Sequence, residues 1–373
     1  MLLAPVTVTP TKPLSPSHLK GLLWADVLFR ATRLVSDIQF RYRPASYHVT
    51  EQTLGFWVFL DSHLGDVDYR ELSETDLGDL YVRFRAQDSR PADARLGQYQ
   101  EAVEESGFVH PSAERILSIW KDQYSVLGMY DPGLTAPASP RLEVAGLIER
   151  LEDVAMCLDL RRIGGAVYAD ASRYGMPLRQ ILDETGRPNY LACALRELLA
   201  LSDGRDQIVL MHDPELTADY VLLARIVGEV SGVEVHRLGV GRVPIEGRIG
   251  SARSGNWKDV DAASLLRRVS DQHDTDAVRL GCRLYFLATL GAESKQSFDW
   301  DALFHCIRRA ERLLARAPDD YGGRDQAALA AEVARHRDLS GSAGWIDPYR
   351  LTVRLLARHQ PPLATPLLKA VFT

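Results

Sequence analysis

Hydrophobic positions along the chain change period several times, and the changes mark its elements. Val6-Thr7-Val8-Thr9 alternates and stops at Pro10, which predicts a short strand. A loop rich in Pro and Ser covers 11–18. Over 19–34 the apolar residues Leu22, Leu23, Val27, Leu28, Ala31 and Leu34 recur at helical spacing, and Asp26 reads as a surface charge. A second strand is expected within 39–50, interrupted by Pro44. Helices follow over 61–87 and, in one or two pieces, over 92–127. A loop rich in Pro and Gly spans 131–140, and a helix resumes over 141–160 with Leu147, Ile148, Leu151 and Val154 on its apolar side.

Gly164-Gly165 breaks that helix, and 166–170 reads as a short strand. Gly186-Arg187-Pro188-Asn189-Tyr190 opens a helix running to 201. The continuous apolar run over 207–211 is a buried, parallel-type strand that ends at His212-Asp213-Pro214-Glu215. A helix over 217–230 and a strand over 234–240 complete a second strand–helix–strand half. Beyond 256 the pattern is helical, over 262–269, 276–290, 300–317, 324–336 and 348–358. The expected fold is α/β: a Rossmann-like parallel sheet with a helical insertion, then an all-helical stem. The expected division is a catalytic domain over 1–248 with its insertion at about 61–160, a loop and stem over 249–317, and a short helical segment over 318–373.

Composition changes this picture little. A chain of 373 residues with 46% hydrophobic and 25% charged residues has the make-up of a soluble globular protein. Its net charge of −6 gives no global attraction to nucleic acid, so such binding needs a local patch. Cys157, Cys193, Cys282 and Cys306 show no CxxC spacing and read as buried thiols of a reducing compartment. No secretory signal and no apolar run long enough to span a membrane is seen, and the expected location is the cytoplasm.

Chemistry is expected at the ends of the strands. His212 and Asp213 close a central strand on its carboxyl side, where α/β folds bind ligands. Ser15 and Ser17 stand before the first helix, either as N-caps satisfying orphan N–H groups or as nucleophiles. Tyr190 reads as a core aromatic or a substrate contact. Arg308, Arg309, Arg312 and Arg316 are helix-spaced, with Arg308, Arg312 and Arg316 on one stripe, which serves either as a solvated face or as an RNA-facing patch.

Ile249-Gly250-Ser251-Ala252-Arg253-Ser254-Gly255-Asn256 resembles the second signature of class I aminoacyl-tRNA synthetases, Lys-Met-Ser-Lys-Ser-x-Gly-Asn. Ser251, Gly255 and Asn256 are kept, while Ile249 and Ala252 replace both lysines. Ser15-Pro16-Ser17-His18 falls where that family carries His-x-Gly-His and keeps only the last residue. Further stretches are similar to cysteinyl-tRNA synthetase and the mycothiol cysteine ligase. These are Asp66 to Leu72, Leu147 to Leu151, Gly165 to Asp170 with Tyr174-Gly175, and Gly186 to Tyr190. Asp276 to Leu280 and Phe298 to Trp300 resemble the stem, and also that of arginyl-tRNA synthetase. The resemblance spans about 1–317.

It implies the class I type of Rossmann fold and makes His18 a catalytic candidate. Ser251 and Arg253, with His212, Asp213 and Tyr190, become substrate contacts, and Arg253 a substitute phosphate binder. The positions of that family's zinc ligands fall on Val6, on Ala194 (or Cys193) and near Asp219-Tyr220-Val221. These residues offer too few ligands for a four-coordinate site, so no zinc and no metal is expected. Loss of the lysines implies no efficient use of ATP. The function implied is an aminoacyl transferase that moves an activated amino acid, from the acceptor end of aminoacyl-tRNA, to a small amine in specialised-metabolite biosynthesis. Alternatives are an ATP-dependent ligase of the mycothiol-ligase type and a catalytically inactive paralogue that binds a partner.

Overall fold

The computed structural model describes residues 1–5, 7–87, 93–136, 142–249, 255, 257–293, 295–316, 326–337, 344–357 and 365–373. Strand β1 (Leu2–Ala4) leads to helix α1 (Pro16–Thr32) and strand β2 (Gln39–Phe40). Helices α2 (Glu51–Leu64), α3 (Glu74–Arg85), α4 (Asp93–Ser106), α5 (Pro111–Val126) and α6 (Val144–Asp153) follow. Strands β3 (Cys157–Asp159), β4 (Val167–Ala169) and β5 (Arg179–Leu182) precede α7 (Tyr190–Leu201), β6 (Gln207–His212), α8 (Thr217–Ser231) and β7 (Glu234–Gly239). The rest is helical: α9 (Ala262–Ser270), α10 (Thr275–Arg283), α11 (Trp300–Arg316), α12 (Gln326–Ala334), α13 (Pro348–Arg354) and α14 (Thr365–Phe372).

The main sheet is parallel, in the order β2-β1-β6-β7. The chain leaves β1 toward β2 on one side and β6 toward β7 on the other, so the strand order reverses between β1 and β6. Crevices at such switch points, beyond the carboxyl ends of the strands, are where open α/β sheets take ligands. The pleat divides the sheet's side chains between two cores. Leu3, Val209 and Met211 pack with α1 and the helical regions, while Leu2, Ile208 and Leu210 pack with α6, α7 and α8. Strands β3, β4 and β5 form a separate antiparallel sheet buried in the second of these cores.

The parallel sheet agrees with the expected α/β class, but several elements move. The strand expected at 6–9 lies at Leu2–Ala4, and Thr7 to Thr9 are loop; Val6 lies outside the described residues. β1 is paired on both edges and buried on both faces, so it carries a short apolar run and not an alternation. The 39–50 strand is confined to Gln39–Phe40, and Pro44–Tyr47 form a 3-10 turn. The 141–160 helix ends at Asp153, where Ala155 takes a left-handed φ of 52° and turns the chain into β3. Of the described residues beyond 344, Leu351, Leu355, Leu367, Leu368, Val371 and Phe372 share one core with α1.

Two charges on α1 are buried. Asp26, expected at the surface, is 2% exposed and accepts from Arg283 Nη2 at 2.6 Å, Arg30 Nε at 3.0 Å and Tyr130 N at 2.9 Å. Arg283 is fully buried and also donates to the carbonyls of Leu127, Gly128 and Arg279. Beyond Arg283 the helix continues as π turns over Leu284–Thr289, and the Trp24 indole donates to the Phe286 carbonyl there at 3.3 Å.

Lys20, also fully buried, donates to the Ala292 carbonyl at 3.0 Å, and burial lowers its pKa from 10.5 to about 8. Below pH 8 the amine is charged in both folded and unfolded chains, and its desolvation cost is fully present. Between about 8 and 10.5 the unfolded chain binds the extra proton, so stability rises with pH. Lys20→Met should therefore stabilise the protein at pH 7, on the order of 1 kcal/mol, with the gain shrinking toward pH 10.5. Urea melts at pH 7 and pH 10 check this; a destabilised variant at pH 7 would show that the Ala292 bond outweighs desolvation.

Candidate functional site

A cavity of about 460 Å³ opens at the switch point. The β1–α1 loop brings Thr7, Thr9, Lys12 and Ser15 to it, and the start of α1 adds Ser17 and His18. Asp213 enters from the end of β6, Val240 and Arg242 from beyond β7, Tyr190 and Ala194 from α7, and Asp219, Tyr220 and Leu223 from α8. Tyr47, Gln52 and Tyr81 close the side toward α2 and α3. Carboxyl-end loops of an α/β sheet, an apolar lining and a few convergent polar groups are the usual make-up of a small-molecule site.

His18 sits in the first turn of α1, where Ser15 is the N-cap and Pro16 the first helical residue. The Ser15 backbone N–H donates to His18 Nδ1 at 3.1 Å. Burial, reinforced by the positive charges of Lys12 and Arg242, lowers the His18 pKa to about 3. The imidazole is thus neutral at physiological pH, with its proton assigned to Nε2 by the Nδ1 contact. The ring is held from both sides by backbone, by the Ser15 N–H and by a hydrogen bond to Pro13, and is a neutral, fixed part of the cavity wall.

The serines do other work. Ser17 Oγ accepts from Val243 N at 3.0 Å and donates to Val243 O at 3.3 Å. Gly241 N donates to Ala292 O at 2.8 Å. These two ties fix the loop on either side of Arg242. The Arg242 side chain bonds the Asp213 carboxylate and reaches Glu215 Oε2 at 3.0 Å. Ser15 lines the cavity, but its backbone and not its hydroxyl meets the imidazole, so His18 activates neither serine in this arrangement.

Of the expected residues, His18, Ser15, Ser17, Asp213 and Tyr190 therefore come together. His212 does not line the cavity: its ring stacks on Tyr220 at 5.1 Å, its Nε2 lies 3.4 Å from Thr217 Oγ1, and it supports the wall from behind. Ser251 and Arg253 lie outside the described residues; of the signature-like stretch only Ile249 and Gly255 are described. Next to it, Trp257 is fully buried. A Cβ on Gly78 would stand 2.6 Å from both Trp257 and Pro13, and Ala262 N donates to Leu14 O at 2.8 Å. Residues on either flank of the two signature-like regions thus touch. Arg309, expected beside that stripe as an RNA contact, is instead turned inward, its guanidinium donating to the carbonyls of Leu355 and Leu356 at 3.3 and 3.4 Å. Arg308, Arg312 and Arg316 are exposed on α11.

Sequence reasoning missed Lys12, Tyr47, Tyr81 and Arg242. Arg242 follows the end of a parallel strand and could have been found by the rule that picked Asp213. Tyr47 had no such signal, since it reaches the site from a 3-10 turn within an expected strand. Its phenol hydrogen-bonds Thr7, and that of Tyr190 bonds Thr9; burial raises the Tyr47 pKa well above the ordinary range, while Tyr190, 43% exposed, is a cavity-side residue and not the core aromatic expected. Tyr47 and Tyr190 pack at 4.8 Å, and Lys12 Nζ lies 5.1 Å from the Tyr81 ring. Ala194, Asp219 and Tyr220 also line the cavity. Among the described residues no group of three or more His, Cys, Asp or Glu is placed to hold a metal ion.

No family model and no curated protein matches the sequence. Solved structures similar in overall course include arginyl-tRNA synthetase of Thermus thermophilus, at 16% identity and a TM-score of 0.48, over 85% of this chain and 58% of that one. Another is arginyl-tRNA synthetase of Plasmodium falciparum, at 9% identity and a TM-score of 0.45, over 99% of this chain and 73% of that one. The chain therefore spans less than two thirds of the Thermus enzyme's length. These are arginyl enzymes and not the cysteine-activating ones that the sequence motifs resemble. Likenesses this loose say nothing about individual residues. Among the described residues no helix is long and apolar enough to cross a membrane.

Proposed function

We propose that the chain is a synthetase-derived aminoacyl transferase. It takes an amino acid already activated as an ester, with aminoacyl-tRNA as donor, and forms an amide on a small amine, in the setting of specialised-metabolite biosynthesis. The observation that carries this reading is the switch-point cavity, which gathers His18, Asp213, Tyr190 and Arg242 in a volume suited to an aminoacyl end. The amine nitrogen bonds to the acyl carbon, the ester C–O bond breaks, and the amine's proton leaves with the released hydroxyl. Arg242, held in place by Asp213 and Glu215, and Lys12 are the cations that line the cavity and would favour the carbonyl oxygen as it gains charge.

Lys12 and Arg242 also favour a second reading, an ATP-dependent ligase, since two cations beside the start of a helix suit a phosphate group. Incubation with a pool of labelled aminoacyl-tRNAs and candidate amines, with and without ATP, separates the two. Amide formed without ATP is expected. Amino-acid-dependent exchange of pyrophosphate into ATP should be slower than in a synthetase by several orders of magnitude, because each missing donor costs about 10²–10³ in rate. Robust exchange with any single amino acid would sink the transferase and establish the ligase.

A further inference from the structure

A second, smaller cavity of about 40 Å³ lies against the first. The two share Thr7, Tyr47, Ala194, Tyr220 and Leu223 as lining residues, so these five form the wall between them. On the far side of that wall the chemistry changes. Glu197, one helical turn after Ala194 on α7, lines the small cavity together with Arg41 and Arg43. Glu197 Oε2 accepts from Ser46 Oγ at 2.9 Å. Oε1 is buried and accepts no hydrogen bond from a described group; its nearest cation, Arg43 Nε, is 3.9 Å away. A buried carboxylate oxygen without a donor is costly, and a bound donor would remove that cost.

Building on the transferase reading, we propose that the small cavity is the side-chain subsite of the transferred amino acid, and that it selects an uncharged side chain ending in a hydroxyl or a carboxamide. Three features set this class. The open acceptor on Glu197 calls for an N–H or O–H. The two guanidiniums lining the same space oppose a third cation, which disfavours lysine- or arginine-like side chains. The small volume admits only the end of a short side chain. Ala194 and the other four shared residues are the side chains that a substrate entering the small cavity from the larger one would have to pass.

The test measures binding of L-amino acid amides to the full chain by calorimetry, in near-isosteric pairs: asparaginamide against leucinamide, threoninamide against valinamide, with lysinamide as the cation. The polar member of each pair should bind roughly 10- to 100-fold more tightly, as expected when a buried acceptor is satisfied or left open. Ala4→Leu, at a residue that lines the small cavity and not the larger one, should fill it and abolish that preference while leaving glycinamide, which does not reach it, with its affinity unchanged. Ser46→Ala, which leaves Oε1 in place, should keep the preference and serves as the control for the fold near Glu197. Tighter binding of leucinamide, valinamide or lysinamide, or a preference that survives Ala4→Leu, overturns the subsite but not the transferase. No binding of any amide, glycinamide included, overturns both.

Discussion

Asp26→Ala should destabilise the protein by about 3–5 kcal/mol, the cost of leaving a buried guanidinium without its carboxylate. Asp26 is the acidic partner through which Arg283 is held to α1, and Arg283 is fully enclosed. The remaining bonds of Arg283 run to carbonyls, which orient the guanidinium but do not neutralise it. Replacing both residues, as Asp26→Leu with Arg283→Met, should recover much of the loss, because the desolvation of both charges disappears with them. The double variant should thus be more stable than the sum of the two single changes, a coupling that a double-mutant cycle measures directly. Urea unfolding of the four proteins is the measurement. A loss below about 1 kcal/mol for Asp26→Ala would mean that solvent reaches Arg283 and that the pair behaves as a surface bridge. Because α1 carries Ser17 and His18 at one end and Asp26 near the other, loosening this pair should also disorder the cavity.

Asp26 marks a limit of reading the sequence alone. On one helix, a charge among apolar neighbours looks like the solvent side; that Arg283 meets it from 257 residues away is a fact of tertiary packing. The second half of the sheet was legible, with β6, α8 and β7 within about a residue of expectation, because a buried parallel strand and a capped helix each leave a continuous local pattern. Helix α2 was placed too late: Thr53 through Leu60 are buried all round, so no polar stripe marks its start. The site divided in the same way. Asp213 and Tyr190 follow from strand ends and helix starts. Tyr47 and Lys12 reach the cavity only through the course of loops, and His212, one residue before Asp213, points to the other side because neighbouring strand positions alternate.

Changing Arg308, Arg312 and Arg316 together to Glu should weaken transfer from aminoacyl-tRNA by about 10²-fold at moderate salt, while leaving transfer from a small activated ester nearly unchanged. The net charge of −6 repels a polyanion, so RNA must be met by a local stripe. The three arginines recur every fourth residue and are exposed, whereas Arg309 is turned inward to the Leu355 and Leu356 carbonyls. Glu311, the acid within that stretch of α11, is already engaged by His273 at 2.7 Å. Removing one arginine–phosphate pairing should flatten the dependence of log K on log salt by roughly one unit, so the triple change should flatten it by about three. None of α11 lines the cavity, which is why a donor without RNA should be insensitive. Arg309→Glu serves as the contrast: it breaks the tie to the end of α13 and should lower stability without changing the salt slope. Equal losses with both donors would mean that the triple change damaged the fold. No loss with either would mean that the stripe is only a solvated face and that the donor is not held by its RNA.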